Sequence, residues 1–240
     1  MCATPTWRVT SVPRLPDTLD ALRHKARPAR ALCCVRLPSR PGRSTPHFHQ
    51  GRPMRLLHWA YFYKARILEM FKQYDGAIAA FKDALAVNPE FGLAASCLGH
   101  LHASRGHSGL AERSFQDALR INPKDAISWF NLGFVLQQTK QHENAISAFQ
   151  NAVTLKPNID RAWFGMGLAC AALGRHDEAA KALEEAAALQ PMNPHAWYNL
   201  GMAYHTLHNQ AKVRQIIDHL NGFDPKMKQR LMQDTGTQGS

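Results

Sequence analysis

The chain repeats itself every 34 residues from position 58 to position 227, five times in succession, with no residue inserted or deleted. Tryptophan marks the register, because Trp129, Trp163 and Trp197 are spaced 34 residues apart. A glycine follows each tryptophan four residues later, and the same frame extends back by one unit; these glycines are Gly99, Gly133, Gly167 and Gly201. A fixed period of about 20 to 50 residues is typical of proteins in which one small structural unit is stacked repeatedly.

Three further positions of the unit are constrained in residue type. A small or branched residue recurs twelve places after the glycine, at Ala77, Ala111, Ala145, Ala179 and Val213. A bulky apolar residue follows four places later, at Phe81, Phe115, Phe149, Leu183 and Ile217. Every unit closes on a proline, namely Pro89, Pro123, Pro157, Pro191 and Pro225. Because proline lacks an N–H group and disfavours helix in the residue before it, each proline predicts the end of one helix and the start of another.

Within a unit, the recurring residues fall into two groups with helical spacing. In the third unit the groups are Trp129, Leu132, Gly133 and Leu136, and then Ala145, Phe149 and Ala152. Apolar residues three and four places apart lie on one side of a helix, so each unit is predicted to contain two amphipathic helices. The small side chains at the glycine and alanine positions allow the two helices to approach closely, as a hairpin.

The combined pattern W-x-x-L-G-x-x-Y … A-x-x-x-F-x-x-A … P resembles the tetratricopeptide repeat family. The resemblance extends over residues 54–233 and implies an all-α fold, a right-handed superhelical solenoid of five helix-turn-helix units. The predicted units are 58–91, 92–125, 126–159, 160–193 and 194–227. Met227 and Leu231 lie one helical turn apart, so we expect residues 226–233 to form a capping helix, followed by a flexible tail at 234–240.

The basic charge is concentrated before the repeats. Residues 1–57 contain ten Arg, one Lys and two Asp, a net charge of +9 out of the total of +11. The same stretch holds eight of the fourteen prolines, and we predict that residues 1–53 are a disordered Arg/Pro-rich tail. A basic arm for phosphates and a targeting leader are the alternatives for this segment. Met54, directly before the helical pattern, is an alternative translation start.

Motifs for other function classes are missing from the sequence. No signal peptide and no run of about 18 apolar residues occurs, so we expect a soluble cytoplasmic protein without membrane insertion. No glycine-rich phosphate loop, G-x-S-x-G or zinc-protease motif is present, and we expect neither enzymatic activity nor a cofactor. His100 and His102 are two residues apart and face different sides of a helix, so we expect no metal site there.

The resemblance also implies a binding surface. In similar arrays, positions 2, 5, 9, 12 and 13 of each first helix line the concave groove and face a bound peptide. From the residues at these positions we predict a partner-binding groove that includes Phe62, Arg66, His100, Phe130, Phe134, Arg161, Phe164, Tyr198 and His205. Its aromatic and basic side chains favour an extended or helical segment of another protein, with apolar and acidic groups. The alternative for any single ring is that it packs against the neighbouring unit.

We therefore predict a non-catalytic scaffold or adaptor, with Phe130, Phe134 and Phe164 as apolar contacts and Arg161 orienting an acidic group. Only Asn131 and Arg161 match the carboxylate clamp by which some family members hold heat-shock chaperones, so we do not expect that type of binding. The alternative function is a nucleic-acid or anionic-surface binder that acts through the basic tail, with the array as a spacer. Self-association through the end units or the groove is a third hypothesis, and the oligomeric state stays open.

Overall fold

The computed structural model describes residues 54–237 of the chain. This part contains eleven α-helices and no β-strand. The helices are α1 (Met54–Met70), α2 (Tyr74–Val87), α3 (Gly92–Ser104), α4 (Ser108–Ile121), α5 (Ala126–Gln138), α6 (His142–Leu155), α7 (Asp160–Ala172), α8 (His176–Leu189), α9 (Pro194–Thr206), α10 (Gln210–Asn221) and α11 (Pro225–Thr235). The predicted all-α solenoid of five hairpins and a final helix is confirmed. The predicted disordered tail, residues 1–53, lies outside the described residues.

The second helix of a hairpin ends where the repeat places its proline. Asn88 and Asn122 are the C-caps of α2 and α4, and their N–H groups still donate to Ala84 O at 3.0 Å and Ala118 O at 2.8 Å. The next residue in each case is a proline, which has no N–H group to continue the helical hydrogen bonds. The chain therefore leaves the second helix there and begins the first helix of the next hairpin.

The recurring tryptophans bridge consecutive hairpins. Each indole Nε1–H donates a hydrogen bond to the carbonyl oxygen of the proline that closes the preceding unit. These bonds join Trp129 to Pro123 at 2.9 Å, Trp163 to Pro157 at 2.8 Å and Trp197 to Pro191 at 2.8 Å. The bond satisfies a polar group of a half-buried side chain, and it fixes the start of each first helix relative to the preceding hairpin.

The turn inside every hairpin uses one residue with left-handed backbone conformation. These residues are spaced 34 apart and are Lys72, Gly106, Lys140, Gly174 and His208, with φ angles of 59°, 77°, 61°, 76° and 57°. Glycine adopts this conformation without strain, whereas a residue with a Cβ atom is disfavoured there. Only two of the five are glycine, so the hairpin geometry imposes the conformation on lysine and histidine as well.

The core of the middle of the array centres on Phe149. Its side chain is 1% exposed and lies between Gly133 of its own hairpin and Gly165 of the next one. A Cβ atom on Gly133 would lie 2.7 Å from Phe149 Cδ1, and a Cβ atom on Gly165 would lie 2.6 Å from Phe149 Cζ. The two glycines thus make room for one ring that joins the third and fourth hairpins.

The final helix α11 covers the last hairpin by packing on α9 and α10. Leu231 is fully buried and occupies the space beside Gly201, whose Cβ would lie 2.7 Å from Leu231 Cδ2. The Tyr198 hydroxyl donates to Asp234 Oδ2 at 2.6 Å. Burial and this hydrogen bond raise the pKa of Tyr198 to about 12, so the phenol stays protonated as a donor. α11 therefore takes the place that the first helix of another hairpin would occupy.

Candidate partner-binding groove

The first helices lie on the inner side of the curved array. From the second hairpin onward, the first helices of neighbouring hairpins contact each other directly. α3 contacts α5, α5 contacts α7, and α7 contacts α9. The second helices of neighbouring hairpins make no comparable contact in residues 54–237. A stack whose members approach on one side and separate on the other is concave on the side of approach. The exposed surface of the first helices is therefore the candidate groove.

One column of side chains runs along the whole groove. It is formed by the ninth position of each first helix, and all five side chains are half-buried: Arg66, His100, Phe134, Leu168 and Met202. We call this set the ninth-position column. It is polar in the first two hairpins and apolar in the last three. Leu168 and Met202 are the ninth residues of their units, so the resemblance also predicts that they face the groove.

Two further predicted residues stand beside this column. Phe130 and Phe164 are half-buried and pack with part of each ring on the core below. The ring centroid of Phe130 lies 6.2 Å from that of Phe149. Ile127 and Arg161, one helical turn before the two rings, are exposed. The middle of the groove thus has two anchored rings with an apolar and a cationic side chain at the edge.

Phe62 and Tyr198 do not belong to an exposed stripe along the groove, because each side chain is only 4% exposed. Phe62 is enclosed by aromatic neighbours, with its ring centroid 5.4 Å from that of Phe91 and 5.7 Å from that of Phe81. Tyr198 lies under α11, where the Arg230 guanidinium carbon is 4.9 Å from the ring centroid. Both rings are part of the packing at the two ends of the array and offer little surface to a partner.

The first half of the groove carries a charge network that is largely internal. Arg66 forms a hydrogen-bonded ion pair with Glu69 on the same helix. Burial lowers the pKa of His100 below its ordinary value of 6.5; Glu69 opposes this shift and Arg66 adds to it. His100 is therefore neutral at pH 7 and adds no positive charge to the groove.

The second half of the groove differs, because Arg161 is exposed and forms no ion pair within residues 54–237. His205, the last of the predicted groove residues, is half-buried near the end of α9. Its Nδ1 atom is buried and has no hydrogen-bond partner in the described part of the chain. Arg161 is thus the predicted groove cation whose guanidinium is free for an acidic group.

The buried imidazoles predict a pH dependence of stability. Burial lowers the pKa of both His100 and His102, so the unfolded chain takes up protons near pH 6.5 while the folded chain does so only at lower pH. The stabilisation by the neutral imidazoles is therefore complete above pH 6.5 and is lost as the pH falls through the folded pKa values. We expect the free energy of unfolding to decrease from pH 7 to about pH 5. Urea denaturation at several pH values measures this decrease for the wild type and for His100→Gln. The free energy of unfolding of the variant should fall less between pH 7 and about pH 5, and an equal fall in both proteins would contradict a lowered pKa of His100.

The described residues do not meet the requirements of a metal site, a membrane-spanning helix or a reactive cysteine. Within residues 54–237, no three or more His, Cys, Asp or Glu side chains are grouped so that they could hold a metal ion. None of the helices in this range has both the length and the apolar character needed to cross a membrane. Burial raises the pKa of Cys170 to about 11, so its thiol is protonated and a poor nucleophile.

Comparison with known families and structures identifies the repeat. The family model of the C-terminal domain of cilia and flagella-associated protein 70, a tetratricopeptide repeat domain, matches residues 87–204. No curated protein sequence matches the chain significantly.

Several solved structures share the fold. YrrB, described as a TPR protein with an unusual peptide-binding site, is 24% identical over 72% of this chain and 90% of its own, with a TM-score of 0.66. MamA is 20% identical over 78% of this chain and 97% of its own, with a TM-score of 0.64. PilF of Pseudomonas aeruginosa is 18% identical over 76% of this chain and 86% of its own, with a TM-score of 0.61. The five-fold sequence repeat, the hairpin solenoid and these matches together show that residues 54–237 have the tetratricopeptide repeat fold.

Proposed function

We propose that this protein is a non-catalytic adaptor that binds a segment of another protein in the groove formed by its first helices. The ninth-position column carries the proposal, because it supplies one half-buried side chain from every hairpin along one continuous surface. Solenoids of this kind use their extended concave faces for binding. Among the proteins of the same fold, YrrB is described as having a peptide-binding site.

The apolar contacts are proposed to come from the third and fourth hairpins. Phe134 and Leu168 are half-buried and belong to none of the hydrophobic clusters of the last three hairpins, so the interior there does not account for their apolar side chains. Phe130 and Phe164 sit beside them, each held in place by the core. A rigid aromatic side chain that is partly exposed loses little conformational freedom on binding, which favours it as an anchor for a partner.

The charged contact is proposed to come from Arg161. Its side chain is exposed one helical turn before Phe164, whereas Arg66 is already paired with Glu69 and His100 is neutral at pH 7. A partner with an acidic group next to its apolar residues therefore fits the second half of the groove better than the first. This assigns the acidic group of the partner to the fourth hairpin.

Selection from a displayed library of random peptides against the full chain tests the proposal. We expect selected peptides to combine apolar residues with at least one Asp or Glu. Fluorescence anisotropy should show that Phe134→Ala weakens their binding by at least about tenfold, or about 1.4 kcal/mol. Leu110→Ala is the matched control, because Leu110 is an exposed apolar residue on the second helix α4, and it should leave the affinity unchanged.

The role of Arg161 is tested with the same peptides. Arg161→Ala should reduce the preference for acidic peptides over their amide analogues and should also reduce the dependence of binding on salt. Circular dichroism spectra of all variants must match the wild type. Equal binding to wild type and to Phe134→Ala would show that the peptides use another surface.

A further inference from the structure

Two positions of the repeat depart from their usual residue type at one place in the array. The fifth residue of a unit is aromatic in four units and is Ser96 in the second unit. The third residue is alanine in four units and is Ser128 in the third unit. These two exceptions contact each other, because their Oγ atoms are 2.8 Å apart in a hydrogen bond between α3 and α5. The pair is therefore a local feature that the common hairpin does not require.

A chain of hydrogen bonds continues from the two serines to a carboxylate. Ser128 is fully buried, and its Oγ atom lies 2.7 Å from Asp125 Oδ2. A carboxylate accepts hydrogen bonds and donates none, so the single hydroxyl proton of Ser128 goes to Asp125. The proton between the two serines must then come from Ser96. We call this chain the serine relay: Ser96 donates to Ser128, and Ser128 donates to Asp125.

The serine relay leaves Ser96 as a hydrogen-bond acceptor at the groove. Ser96 is half-buried at the fifth position of its unit, where the third and fourth hairpins carry their groove rings. Its one proton is donated to Ser128, so its oxygen has lone pairs left and nothing more to donate. Within residues 54–237 it forms no hydrogen bond with its own helix, unlike Ser104, whose hydroxyl donates to Leu101 O at 2.9 Å. The carboxylate at the far end polarises the chain and strengthens this acceptor.

The surroundings of Ser96 favour an uncharged donor. Asp125 is the N-cap of α5, and its Oδ1 atom accepts from Ile127 N at 3.1 Å, so the carboxylate lies at the positive end of that helix. His100, one turn after Ser96, is neutral at pH 7, and Arg66 is held in an ion pair on its own helix. A neutral N–H group therefore suits this acceptor better than an ammonium or a guanidinium group.

We propose that Ser96 accepts a hydrogen bond from a main-chain N–H group of the bound segment, and that this segment is extended where it crosses the second hairpin. This role rests on the proposed function and specifies the backbone of the partner. Main-chain N–H groups need a hydrogen-bond partner when they lose water. A helix bonds all but its first four N–H groups internally, whereas an extended segment presents them to the groove. The serine relay therefore favours an extended partner over a helical one.

Amide-to-ester replacement along a peptide selected on the full chain tests this role. Each ester removes one main-chain N–H group and keeps the shape of the peptide. We expect one of these esters to weaken binding to the wild type by at least about fivefold in fluorescence anisotropy. Ser96→Ala should bind the parent peptide about fivefold more weakly, and the same ester should then change its affinity by less than about twofold.

Ser147→Ala is the matched control for the loss of a hydroxyl group. Ser147 is exposed on the second helix α6, and its hydroxyl donates to the carbonyl oxygen of Glu143 on the same helix. This variant should bind the parent and the ester peptides like the wild type.

Asp125→Asn tests the direction of the relay and keeps both hydroxyl groups. Asparagine is also a good N-cap, and its amide oxygen must take the place of Oδ1, which accepts from Ile127 N. Its NH₂ group then donates to Ser128, so Ser128 donates to Ser96 and the Ser96 proton turns toward the groove. We expect this variant to bind the parent peptide at least about fivefold more weakly, and the ester peptide at least as tightly as the parent.

The outcomes separate this role from the proposed function. If Phe134→Ala binds the selected peptides as tightly as the wild type, the peptides do not use the groove and both proposals fail. If Phe134→Ala weakens binding but every ester has the same effect in Ser96→Ala as in the wild type, only the role of Ser96 is overturned. An ester effect that persists in Asp125→Asn would overturn the direction of the relay.

Discussion

Replacing Phe149 by alanine is expected to lower the free energy of unfolding by about 3 to 5 kcal/mol. The ring is 1% exposed and fills the space between Gly133 and Gly165, so its removal leaves a cavity between the third and fourth hairpins. The free energy of unfolding should also fall less steeply with denaturant concentration. Hairpins contact only their neighbours, so an array weakened between two hairpins unfolds less cooperatively. Denaturation in guanidinium chloride followed by circular dichroism measures both quantities.

Leu155→Ala is the matched control for this prediction. Leu155 lies on the same helix α6, but it is 42% exposed. Its replacement should change the free energy of unfolding by no more than about 0.5 kcal/mol. A loss below about 1 kcal/mol for Phe149→Ala would mean that the hairpins close around the missing ring without leaving a cavity.

The second large effect is expected for Gly165→Ala, which should destabilise the fold by about 1 to 3 kcal/mol. The added methyl group would lie 2.6 Å from Phe149 Cζ, far inside van der Waals contact. The ring cannot move away freely, because Gly133 lies against its other edge, where there is no room even for a Cβ atom. Thermal and chemical denaturation of the variant measure the loss.

Gly109→Ala separates packing from helix propensity. Gly109 lies within α4, and an added Cβ there would meet nothing within 4 Å. Since alanine is the better helix former, this substitution should stabilise the chain by up to about 1 kcal/mol. Destabilisation of both variants to the same extent would show that close packing at Gly165 is not the cause.

The period of the sequence explains why so much of the fold could be predicted. The contact between Gly133 and Phe149 follows from this period, because Gly99 meets Phe115 and Gly167 meets Leu183 in the same way. Gly165 was missed because the same unit position holds Cys97, Asn131 and Asn199 in other units. A contact made by one unit alone leaves no periodic signal, even when it is as close as the recurring ones.

The candidate site was predicted less completely, and the ends of the array show why. Phe62, Phe130 and Tyr198 occupy the same position of their units, so the repeat assigns them the same environment. In the structure only Phe130 is half-buried, because Phe91 closes over Phe62 and α11 closes over Tyr198. Burial at an end depends on the individual residues that pack on the terminal hairpin, and a repeat pattern does not contain that information.

The capping helix also determines whether the last hairpin has its apolar side covered. Hairpins that contact only their neighbours are able to fold one after another as the chain leaves the ribosome. Each hairpin covers the apolar side of the one before it, whereas Ile217 and Leu220 of the last hairpin share their buried cluster with Leu231 of α11. A chain truncated before Pro225 would therefore have all five hairpins and still expose part of this apolar cluster, which favours aggregation.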